Sequence, residues 1–515
     1  MAFVDWHVFG QDVFMAVYTV MLVLVSMYGL HRYALVYLYY RHRRHAPKQA
    51  GEFAELPTVT IQLPMYNERA VARRIIESTC EIDYPREKLQ IQVLDDSTDD
   101  TVEIAAKAVR DMQARGFDIE YIHRDNREGF KAGALTHGLA TAKGEFVTIF
   151  DADFIPARDI LQRSIHYFTD PKVCVVQARW DHLNRTDSLL TRTQAIYLDG
   201  HFIVEHIARN RSERFMSFNG TAGTWRKSAI ADAGGWQHDT LTEDLDLSYR
   251  AQLKGWKFVF LPELLAPAEL PPEMNAFKAQ QHRWTKGGAQ TTLKLLPRVL
   301  FSRSPLKVKI EAFFHLTGFT MHLYMCILIL MLFPAMVIRH NISASGGEGA
   351  WRSIFDIAVF ALATISANVF YIAGQLRTRG SFIEASKYMP LMMAVGVGMC
   401  ISNAKAVLEA FCGQKSDFIR TPKYGDQQLA VEMNPRKKKT RWVPYVEFAM
   451  GLYMTGCLVW SLIGGKALIT APFLVIFAFG FFYVSSLSFL AERMVKQAKE
   501  RPQSSVLSPQ ARRAP

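Results

Sequence analysis

The sequence predicts an α/β domain inserted into an α-helical transmembrane region of about five spans plus interfacial helices. Three observations support this prediction. Long uncharged runs lie near both ends of the 515-residue chain, and none lies between Arg41 and Lys309. From Thr58 onward, short β-branched runs alternate with helix-length segments, as in an α/β sheet. Clusters of Lys and Arg flank the apolar runs, which is typical of loops on the cytosolic side.

The first span runs from about Val13 towards Tyr40 and belongs to a predicted N-terminal unit, residues 1–45. It ends at a basic cluster that begins at Arg41, so we expect the amino terminus outside and the next domain in the cytosol. The residues before the span include no Lys or Arg, and no small-residue cleavage site follows it. The run is therefore predicted to be a membrane anchor and not a cleaved signal peptide.

The soluble part is predicted to be a Rossmann-like α/β domain over residues 46–309, ending in helices at the membrane interface. Its predicted strands are 58–63, 89–94, 119–122, 146–150 and 173–178. Its predicted helices are 68–80, 101–115, 131–141 and 157–168. Ligands of such sheets bind beyond the carboxyl ends of the strands. Two acidic pairs, Asp95 with Asp96 and Asp151 with Asp153, follow strands and are expected there.

The region 310–490 is predicted to hold the other spans. They are expected at about 312–338, 353–376, 442–464 and 467–490. The apolar stretch 389–411 is predicted to be interfacial or re-entrant. If it crossed the membrane, residues 412–441 would lie outside with eight Lys/Arg against three Asp/Glu, which the positive-inside rule disfavours. We expect 412–441 to be a cytosolic loop and 491–515 to be a basic cytosolic tail.

Composition narrows the possible partners. The net charge of +12 could indicate nucleic acid, but the basic residues lie beside the apolar runs. We therefore expect contact with membrane lipids and no nucleic-acid partner. The six cysteines have neither metal-ligand nor disulfide spacing, as expected in a reducing compartment.

The pair Asp151 and Asp153 follows a predicted strand directly. Two carboxylates at a strand end can share a divalent cation and leave coordination sites for diphosphate oxygens and water. The alternative is a solvated turn in which Asp153 caps the helix beyond Pro156.

Three other polar groups follow strands or open helices. Asp95 and Asp96 can accept hydrogen bonds from a base or ribose, whereas the residues up to Asp100 are expected to cap the next helix. Glu68 can hold a nucleoside or favour a helix amino terminus. Lys131 opens a helix after a glycine-containing turn, where it can bind phosphate or remain a surface charge.

The run Thr242-Glu243-Asp244 can supply a general base. Attack by a sugar hydroxyl on an anomeric carbon needs a carboxylate within hydrogen-bond reach of that hydroxyl. The alternative is a helix start, with Thr242 as the cap and the two acids in the first turn.

The run from Gln280 to Trp284 is predicted to be helical, so Gln280, Arg283 and Trp284 fall within about one turn. Arginine binds phosphate through its planar fork, and an indole face packs on a sugar ring. The alternative is an amphipathic interface helix anchored by Trp284, and both can hold together.

The order Asp-Asp, Asp-x-Asp, Thr-Glu-Asp, Gln-x-x-Arg-Trp resembles the membrane-bound family 2 glycosyltransferases, which make cellulose, mannan, hyaluronan and chitin. The resemblance covers about residues 56–305 and extends weakly to Gly425. Residues 218–226 and 253–258 look like plant cellulose-synthase-like mannan and glucan synthases. Residues 417–425 are similar to the gating loop that such synthases close over the nucleotide. The resemblance implies a GT-A fold for the α/β domain.

The resemblance also implies a role for each matching residue. The residues implied to bind the nucleotide-sugar are Tyr66, Glu68, Asp95, Asp96, Lys131, Asp151, Gln280, Arg283 and Lys423. The residues implied to bind the acceptor are Asn219, Gly220, Glu243 and Trp284. Asp151 and Asp153 would bind Mg²⁺ or Mn²⁺, and Asp244 would be the general base, which gives inversion and a β-linkage.

The implied activity is a metal-dependent, inverting hexosyl transfer from UDP-glucose or GDP-mannose to a growing β-linked polysaccharide. The product would be secreted through the enzyme's own spans, in the inner (plasma) membrane. Arg420, where cellulose synthases favour valine, favours the mannan-synthase-like group, and no carboxyl-terminal cyclic-dinucleotide-binding barrel is expected. A lipid glycosyltransferase of the ceramide-glucosyltransferase type is one alternative. A non-catalytic transporter or scaffold is another.

Overall fold

A computed structural model describes residues 6–344, 349–414, 425, 442–463 and 470–500. The strands of the sheet are β1 (Val59–Met65), β2 (Leu89–Asp95), β3 (Ile119–His123), β4 (Phe146–Ile149), β5 (Val173–His182), β6 (Gly223–Arg226) and β7 (Lys257–Ala268). The helices up to the end of the sheet domain are α1 (Trp6–His42), α2 (Ala72–Cys80), α3 (Thr101–Ala114), α4 (Phe130–Thr141), α5 (Ile160–Ile165), α6 (Leu189–Asp199), α7 (Ile207–Arg211), α8 (Lys227–Asp232) and α9 (Glu243–Leu253). The helices that follow are α10 (Met274–Leu300), α11 (Leu306–Thr317), α12 (Met321–Ala344), α13 (Gly349–Arg379), α14 (Phe382–Ser386), α15 (Met389–Gly398), α16 (Cys400–Phe411), α17 (Val443–Leu462) and α18 (Ala471–Glu500).

The seven strands form one sheet in the order β3-β2-β1-β4-β6-β5-β7. All neighbouring pairs are parallel except those of β6, which runs antiparallel to β4 and β5. The carboxyl ends of β1, β2 and β4 therefore meet at one edge, which we call the site edge. Buried apolar side chains cover both faces of the sheet, as in a doubly covered α/β domain.

The strand predictions are confirmed for β1 to β5, although β5 is longer than expected. The sequence analysis missed β6 and β7. Strand β6 has only four residues, and β7 contains Pro262 and Pro267, which usually argue against a strand. The pairing of β5 with β7 shifts register between Ala178 and Arg179, and such an irregularity accommodates the prolines at the outer strand.

Helix α2 starts at Ala72 and not at the predicted residue 68. The cause is the loop after β1, in which Asn67 has a positive φ of 56°. The backbone N–H of Asn67 donates to Ser97 Oγ at 2.7 Å, and the N–H of Thr98 donates to Asn67 Oδ1 at 2.8 Å. The side chain of Asn67 thus joins the loops after β1 and β2 and holds the site edge together.

Three stretches of the described chain are long and apolar enough to cross a membrane: Gly10–His42, Leu306–Ile342 and Ala471–Met494. A fourth candidate is the pair Phe382–Gly398 and Cys400–Phe411, which is bent by 41°. By this measure the described residues contain about three candidate spans, against the five expected. Helices α13 and α17 occupy the positions of the other two expected spans. In α17, Glu447 is fully buried and binds Lys278 Nζ of α10 at 2.5 Å.

The interfacial character of 389–411 stays a prediction, as do the domain boundaries. Most of the gating-type loop, including Lys423, lies outside the described residues, as does the tail beyond Glu500. Gly425 is described, and its N–H donates to Glu269 Oε2 at 3.1 Å. This contact places the end of the loop beside the residues that follow β7.

Candidate active site

Asp151 and Lys131 lie in contact at the site edge. Asp151 follows β4, and its backbone N–H donates to Thr221 Oγ1 at 2.8 Å. Lys131 is the second residue of α4, which starts after Gly129 in a left-handed conformation. The Lys131 ammonium binds the Asp151 carboxylate and also donates to the Gly220 carbonyl oxygen at 2.8 Å. Lys131, at the start of a helix, is therefore directed towards the acids of the site edge and not into solvent.

Asp244 joins this contact from helix α9. A Cβ atom at Gly220 would lie 3.0 Å from Asp244 Oδ2 and 3.5 Å from Lys131 Nζ. Gly220 also has a positive φ of 78°, so both space and backbone conformation require glycine here. The absence of a side chain at Gly220 lets the Asp244 carboxylate approach the pair of Lys131 and Asp151.

The helix-cap alternative for Thr242 describes α9 only in part: Thr242 is the N-cap residue and both acids lie in the first turn, but its side chain does not cap the helix. The Thr242 side chain makes no cap hydrogen bond, and its hydroxyl pairs with Thr291 Oγ1 of α10 at 3.1 Å. Asp244 Oδ1 accepts from the backbone N–H of Leu245 at 2.8 Å, which leaves Oδ2 directed towards Gly220. Likewise α5 begins only at Ile160, so Asp153 is too far along the chain to cap it.

The electrostatics set Asp244 apart. Burial, with the negative charge of neighbouring Glu243 as the second cause, raises the pKa of Asp244 to about 7. Burial also raises the pKa of Glu243, against the attraction of Lys131. Burial alone would lower the pKa of Lys131, but the attraction of Asp151 and Glu243 outweighs it, so that pKa is raised. A carboxyl group with a pKa near neutrality is suited to accept a proton.

Helix α10 presents Gln280, Arg283 and Trp284 within one turn, as predicted. Burial lowers the pKa of Arg283, while the acids Glu243, Asp151, Asp244 and Asp153 oppose the effect. The guanidinium therefore lies within electrostatic reach of both the Asp151–Asp153 pair and the Glu243–Asp244 pair. The indole of Trp284 lies 6.4 Å from that of Trp180 on β5, between ring centroids. Lys286 Nζ and His282 Nε2 each approach Glu409 of α16 at 3.1 Å, which fixes α10 against the membrane region.

Asp95 and Asp96 are held by other side chains. Asp95 is fully buried; its Oδ1 accepts from the Ser97 N–H at 2.9 Å and its Oδ2 from the Tyr121 hydroxyl at 2.7 Å. Asp96 binds Arg124 through two hydrogen bonds, at 2.7 and 2.5 Å. Both carboxylates therefore have fixed positions at the end of β2.

Other residues predicted to bind the nucleotide-sugar or the acceptor lie around two acidic pairs, Asp95 with Asp96 and Glu243 with Asp244. The Arg127 guanidinium lies 3.3 Å from the ring centroid of Tyr66, and Glu68 is buried in the same loop. On the acceptor side, the Asn219 N–H donates to Gln177 Oε1 at 3.1 Å. The described residues of the predicted site thus lie at one edge of the sheet.

A cavity of about 1030 Å³ opens at this edge and continues between the membrane helices. Asp244, Asn219, Gln280 and Trp284 line its inner end. Tyr18 of α1, Leu332 of α12 and Phe473 of α18 are among the residues that line it farther on. The predicted base therefore faces a continuous space that leads away from the sheet.

Comparison with known proteins agrees with this geometry. Residues 57–287 match the family model described as glycosyltransferase like family 2. A probable glucomannan 4-beta-mannosyltransferase 10 of Arabidopsis thaliana is 33% identical over 439 residues, which cover 80% of this chain and 74% of the relative. Glucomannan 4-beta-mannosyltransferase 9 of the same plant is 34% identical over 419 residues, covering 78% and 75%. The chain belongs to glycosyltransferase family 2.

A solved structure supports the fold of this glycosyltransferase. A mannosyltransferase from Pyrobaculum calidifontis, in complex with GDP-Man and Mn²⁺, superposes with a TM-score of 0.51. It is 20% identical, and the match covers 77% of this chain and 100% of that protein. At this identity the likeness concerns the fold alone, and it agrees with the expected GT-A architecture.

The residues of this glycosyltransferase suit a divalent cation that arrives with a substrate. Asp151 is partly exposed at the site edge, and Asp153 is buried two residues away. Their carboxylate oxygens are the donors that Mg²⁺ and Mn²⁺ prefer. Within the described ranges, no group of three or more His, Cys, Asp or Glu gathers around a point that could hold a metal ion. Of the described residues, these two carboxylates would hold the cation, and substrate oxygens and water would complete the coordination shell.

Sequence reasoning missed the side chains that position the predicted residues in this glycosyltransferase. Tyr121 and Arg124 hold the acids of β2, Arg127 covers Tyr66, and Trp180 lies beside Trp284. Tyr121, Arg124 and Arg127 lie in or just after β3, whose register pairs Asp95 with His123. A parallel pairing of β2 and β3, assumed in advance, would have placed them beside the acids. Trp180 lay beyond the predicted end of β5 and carried no such signal.

Proposed function

We propose that the chain is a membrane-bound, metal-dependent, inverting mannosyltransferase that extends a β-linked polysaccharide from GDP-mannose at the cytosolic face. One observation carries the proposal. The Asp244 carboxylate, with its raised pKa, lies beside Lys131 and Asp151 at the head of a cavity that continues between the membrane helices. Asp244 as the base, Lys131 as the positive charge for the leaving group, and a route for the growing polysaccharide are thus adjacent.

In this mechanism Asp244 accepts the proton of the acceptor hydroxyl. The hydroxyl oxygen forms a bond to the anomeric carbon as the bond to the diphosphate oxygen breaks on the opposite side, which inverts the configuration. Lys131 and Arg283 balance the negative charge on the departing diphosphate. Asp151 and Asp153 would hold Mg²⁺ or Mn²⁺, which when bound supplies further positive charge to the leaving group.

The choice of sugar donor is based on the names of similar proteins. Several relatives at 32–34% identity bear the name glucomannan 4-beta-mannosyltransferase, and the structure with the same fold contains GDP-Man. These names support GDP-mannose over UDP-glucose and a β-1,4 linkage. Asp95 and Asp96, fixed by Tyr121 and Arg124, would face the nucleoside with positions set before the donor binds.

The cavity supports a polymeric product and its secretion. Aromatic residues along the cavity, such as Trp180, Tyr371 and Phe473, offer flat faces to successive sugar rings. Polar side chains of the same lining, such as His31 and Asn403, can bind sugar hydroxyls. A chain that grew at Asp244 would enter this space directly.

The test is an assay of the purified protein with radiolabelled GDP-mannose or UDP-glucose, each with Mn²⁺ or Mg²⁺. The proposal predicts a high-molecular-weight product from GDP-mannose that an endo-β-1,4-mannanase digests, and no product when the metal is chelated. A single-sugar adduct extracted with lipid would indicate the lipid-glycosyltransferase alternative. A product from UDP-glucose alone would refute the proposed donor.

A further inference from the structure

Helix α10 presents two different faces around the residues predicted to bind the diphosphate. One face lines the cavity, and its members are Phe277, Gln280, Gln281 and Trp284. A second face is basic, and its members are Lys278, His282 and Lys286. Each set keeps the spacing of three or four residues that brings side chains to one face of a helix. The basic face is the one that meets the membrane region, and the proposed function leaves it without a role.

The first contact of the basic face is a buried ion pair. Lys278 is 8% exposed and Glu447 of α17 is fully buried. The Lys278 ammonium donates to Glu447 Oε2 at 2.5 Å and to Ser488 Oγ of α18 at 2.7 Å. Asn275, three residues earlier on α10, donates from Nδ2 to the Ser488 carbonyl oxygen at 3.3 Å. Near its start, α10 is therefore joined to both α17 and α18 by directional polar contacts.

The second contact lies two turns farther along α10. Lys286 Nζ and His282 Nε2 both lie 3.1 Å from Glu409 Oε2 of α16, and Lys286 is fully buried. Since a helix rises 1.5 Å per residue, Lys278 and Lys286 are about 12 Å apart along the axis. Arg283 lies between them in the sequence. The helix is thus fixed to the membrane region on both sides of Arg283.

Stability alone does not account for a buried ion pair at this place. Apolar side chains of similar volume often give equal or greater stability, because burying two charges costs nearly as much as their attraction returns. Apolar contacts are not directional, whereas the Lys278 ammonium must meet Glu447 and Ser488 at fixed points. The ion pair therefore contributes position. A helix turned by one residue rotates by 100°, which would move Arg283 away from the acids of the site edge, such as Asp151 and Glu243.

We propose that Lys278 and Glu447 are positioning residues, whose ion pair sets the register of α10 against the membrane helices and so holds Arg283 where it binds the diphosphate of the donor. This inference rests on the proposed function, because that function supplies the diphosphate. Helix α18, which Lys278 also contacts, lines the cavity through Leu474 and Phe477. The wall of the route for the product and the binding group for the leaving diphosphate are thus held in one fixed arrangement.

The experiment replaces the ion pair by an apolar pair of similar volume. In the double variant Lys278→Met with Glu447→Met, the melting temperature should stay equal or rise, because no charge remains to be buried. The Kd of GDP in the presence of Mn²⁺, measured by calorimetry on the purified protein, should rise about fivefold, and kcat for transfer from GDP-mannose should fall about tenfold, because Arg283 is displaced. A stable double variant with the wild-type Kd and kcat would overturn the inference.

A double-mutant cycle tests whether the ion pair acts through Arg283. Arg283→Lys keeps the positive charge but loses the planar fork, and should raise the Kd of GDP about tenfold. Adding the apolar pair to Arg283→Lys should change the Kd less than about twofold further, because the group that the ion pair positions is gone. Additive effects on the Kd would show that the ion pair does not act through Arg283 and would contradict the inference.

Gln375→Met is the matched control. Gln375 Nε2 of α13 donates to Asp199 Oδ2 of α6 at 2.7 Å, which is another buried contact between the sheet domain and the membrane region, and neither residue lies on α10. The substitution should lower the melting temperature and leave the Kd of GDP within about twofold of the wild type. An equal rise in Kd for this control would show that any loosening of the two regions has the effect, and would overturn the inference.

Glu409→Gln serves as a second variant if the apolar pair does not fold. It keeps the shape of the side chain and weakens the second contact of the basic face, so the Kd of GDP should rise about threefold. An unchanged Kd would count against the inference. If the wild-type protein bound no GDP in the presence of Mn²⁺, the proposed function would fail first. Binding of GDP by the wild type, with the same Kd in every folded variant of the basic face, would refute the present inference alone.

Discussion

Two acidic runs lie at the same edge of the sheet, and they differ in how their charges are satisfied. Asp95 and Asp96 each have their own protein partners, Tyr121 and Arg124. Glu243, which is buried, and Asp244, which is partly buried, lie side by side near Lys131, and burial raises the pKa of both. The first run is rigid before any ligand arrives. The second is suited to chemistry, because its carboxylates lack full compensation and the pKa of Asp244 is raised to about 7.

The largest expected effect comes from Asp244→Asn. Loss of the general base should lower kcat for sugar transfer by about 10²–10⁴-fold, while the melting temperature stays equal or rises, because a destabilised buried carboxylate is removed. Radiolabel transfer and thermal unfolding of the purified protein measure both. Asp239→Asn, which changes an exposed acid paired with Lys294, is the matched control and should keep activity within about twofold. Retention of one tenth of wild-type transfer by Asp244→Asn would argue that another residue is the base.

The opposite result is expected at the other run. Arg124→Met leaves the buried Asp96 carboxylate without its partner, and breaking such a pair costs about 3–5 kcal/mol. For a domain of this size the melting temperature should fall by roughly 10 °C. Lys143→Met, which removes an exposed pair with Asp118, should change it little. Equal melting temperatures for the two variants would show that the β2 acids are not held rigidly by the protein.

The positions of the acids in these two runs could be predicted from the sequence, but the partners of their charges could not. The residues predicted for the site were identified from short motifs, such as the one with Asp151 after a strand, and from the family resemblance, which supplied the roles of Asp244 and Arg283. The sequence did not indicate that Asp96 would be paired and Asp244 only half compensated. That difference depends on Arg124, which follows another strand, and on Gly220, whose missing side chain allows the close approach.

The elements of the fold also divide into those that the sequence predicted and those that it did not. Regular parallel strands and the helix carrying Arg283 were predictable from periodicity. The strands β6 and β7 were not, because one has four residues and the other carries two prolines. Among the described residues, three stretches, or four with the bent pair, are long and apolar enough to span a membrane, against the five expected. In α17, polar residues such as Glu447 lower the mean hydropathy of the helix. Glu447 is buried and forms a salt bridge with Lys278 of α10.

The pH dependence of sugar transfer should follow the protonation of Asp244 in the second run. Since the pKa of Asp244 is about 7 in the folded protein, kcat/KM should fall about tenfold per pH unit well below pH 7. The sign for stability is opposite: the folded protein binds this proton more tightly than the unfolded chain, whose Asp pKa is about 3.9. The stabilising contribution is therefore complete below about pH 4 and is lost as pH rises through about 7. An acid limb near pH 4 would contradict the raised pKa.

The smallest effect is expected from Tyr121→Phe. The substitution removes one hydrogen bond to Asp95, worth about 1–2 kcal/mol, while the Ser97 N–H still holds the other carboxylate oxygen. The donor KM should rise a few-fold and kcat should stay unchanged. Steady-state kinetics over a range of GDP-mannose concentrations provides the measurement. A fall in kcat with unchanged KM would place Tyr121 in the chemical step instead.

The most direct test of the central claim is an experimental structure with GDP and Mn²⁺ bound. The account predicts the metal ion at the carboxylates of Asp151 and Asp153, the diphosphate beside Lys131 and Arg283, and the base of the nucleoside near Asp95 and Asp96. Asp244 should then face the diphosphate across the space where the donor sugar binds. A nucleotide bound away from this edge, or a metal ion held by other residues, would contradict the account.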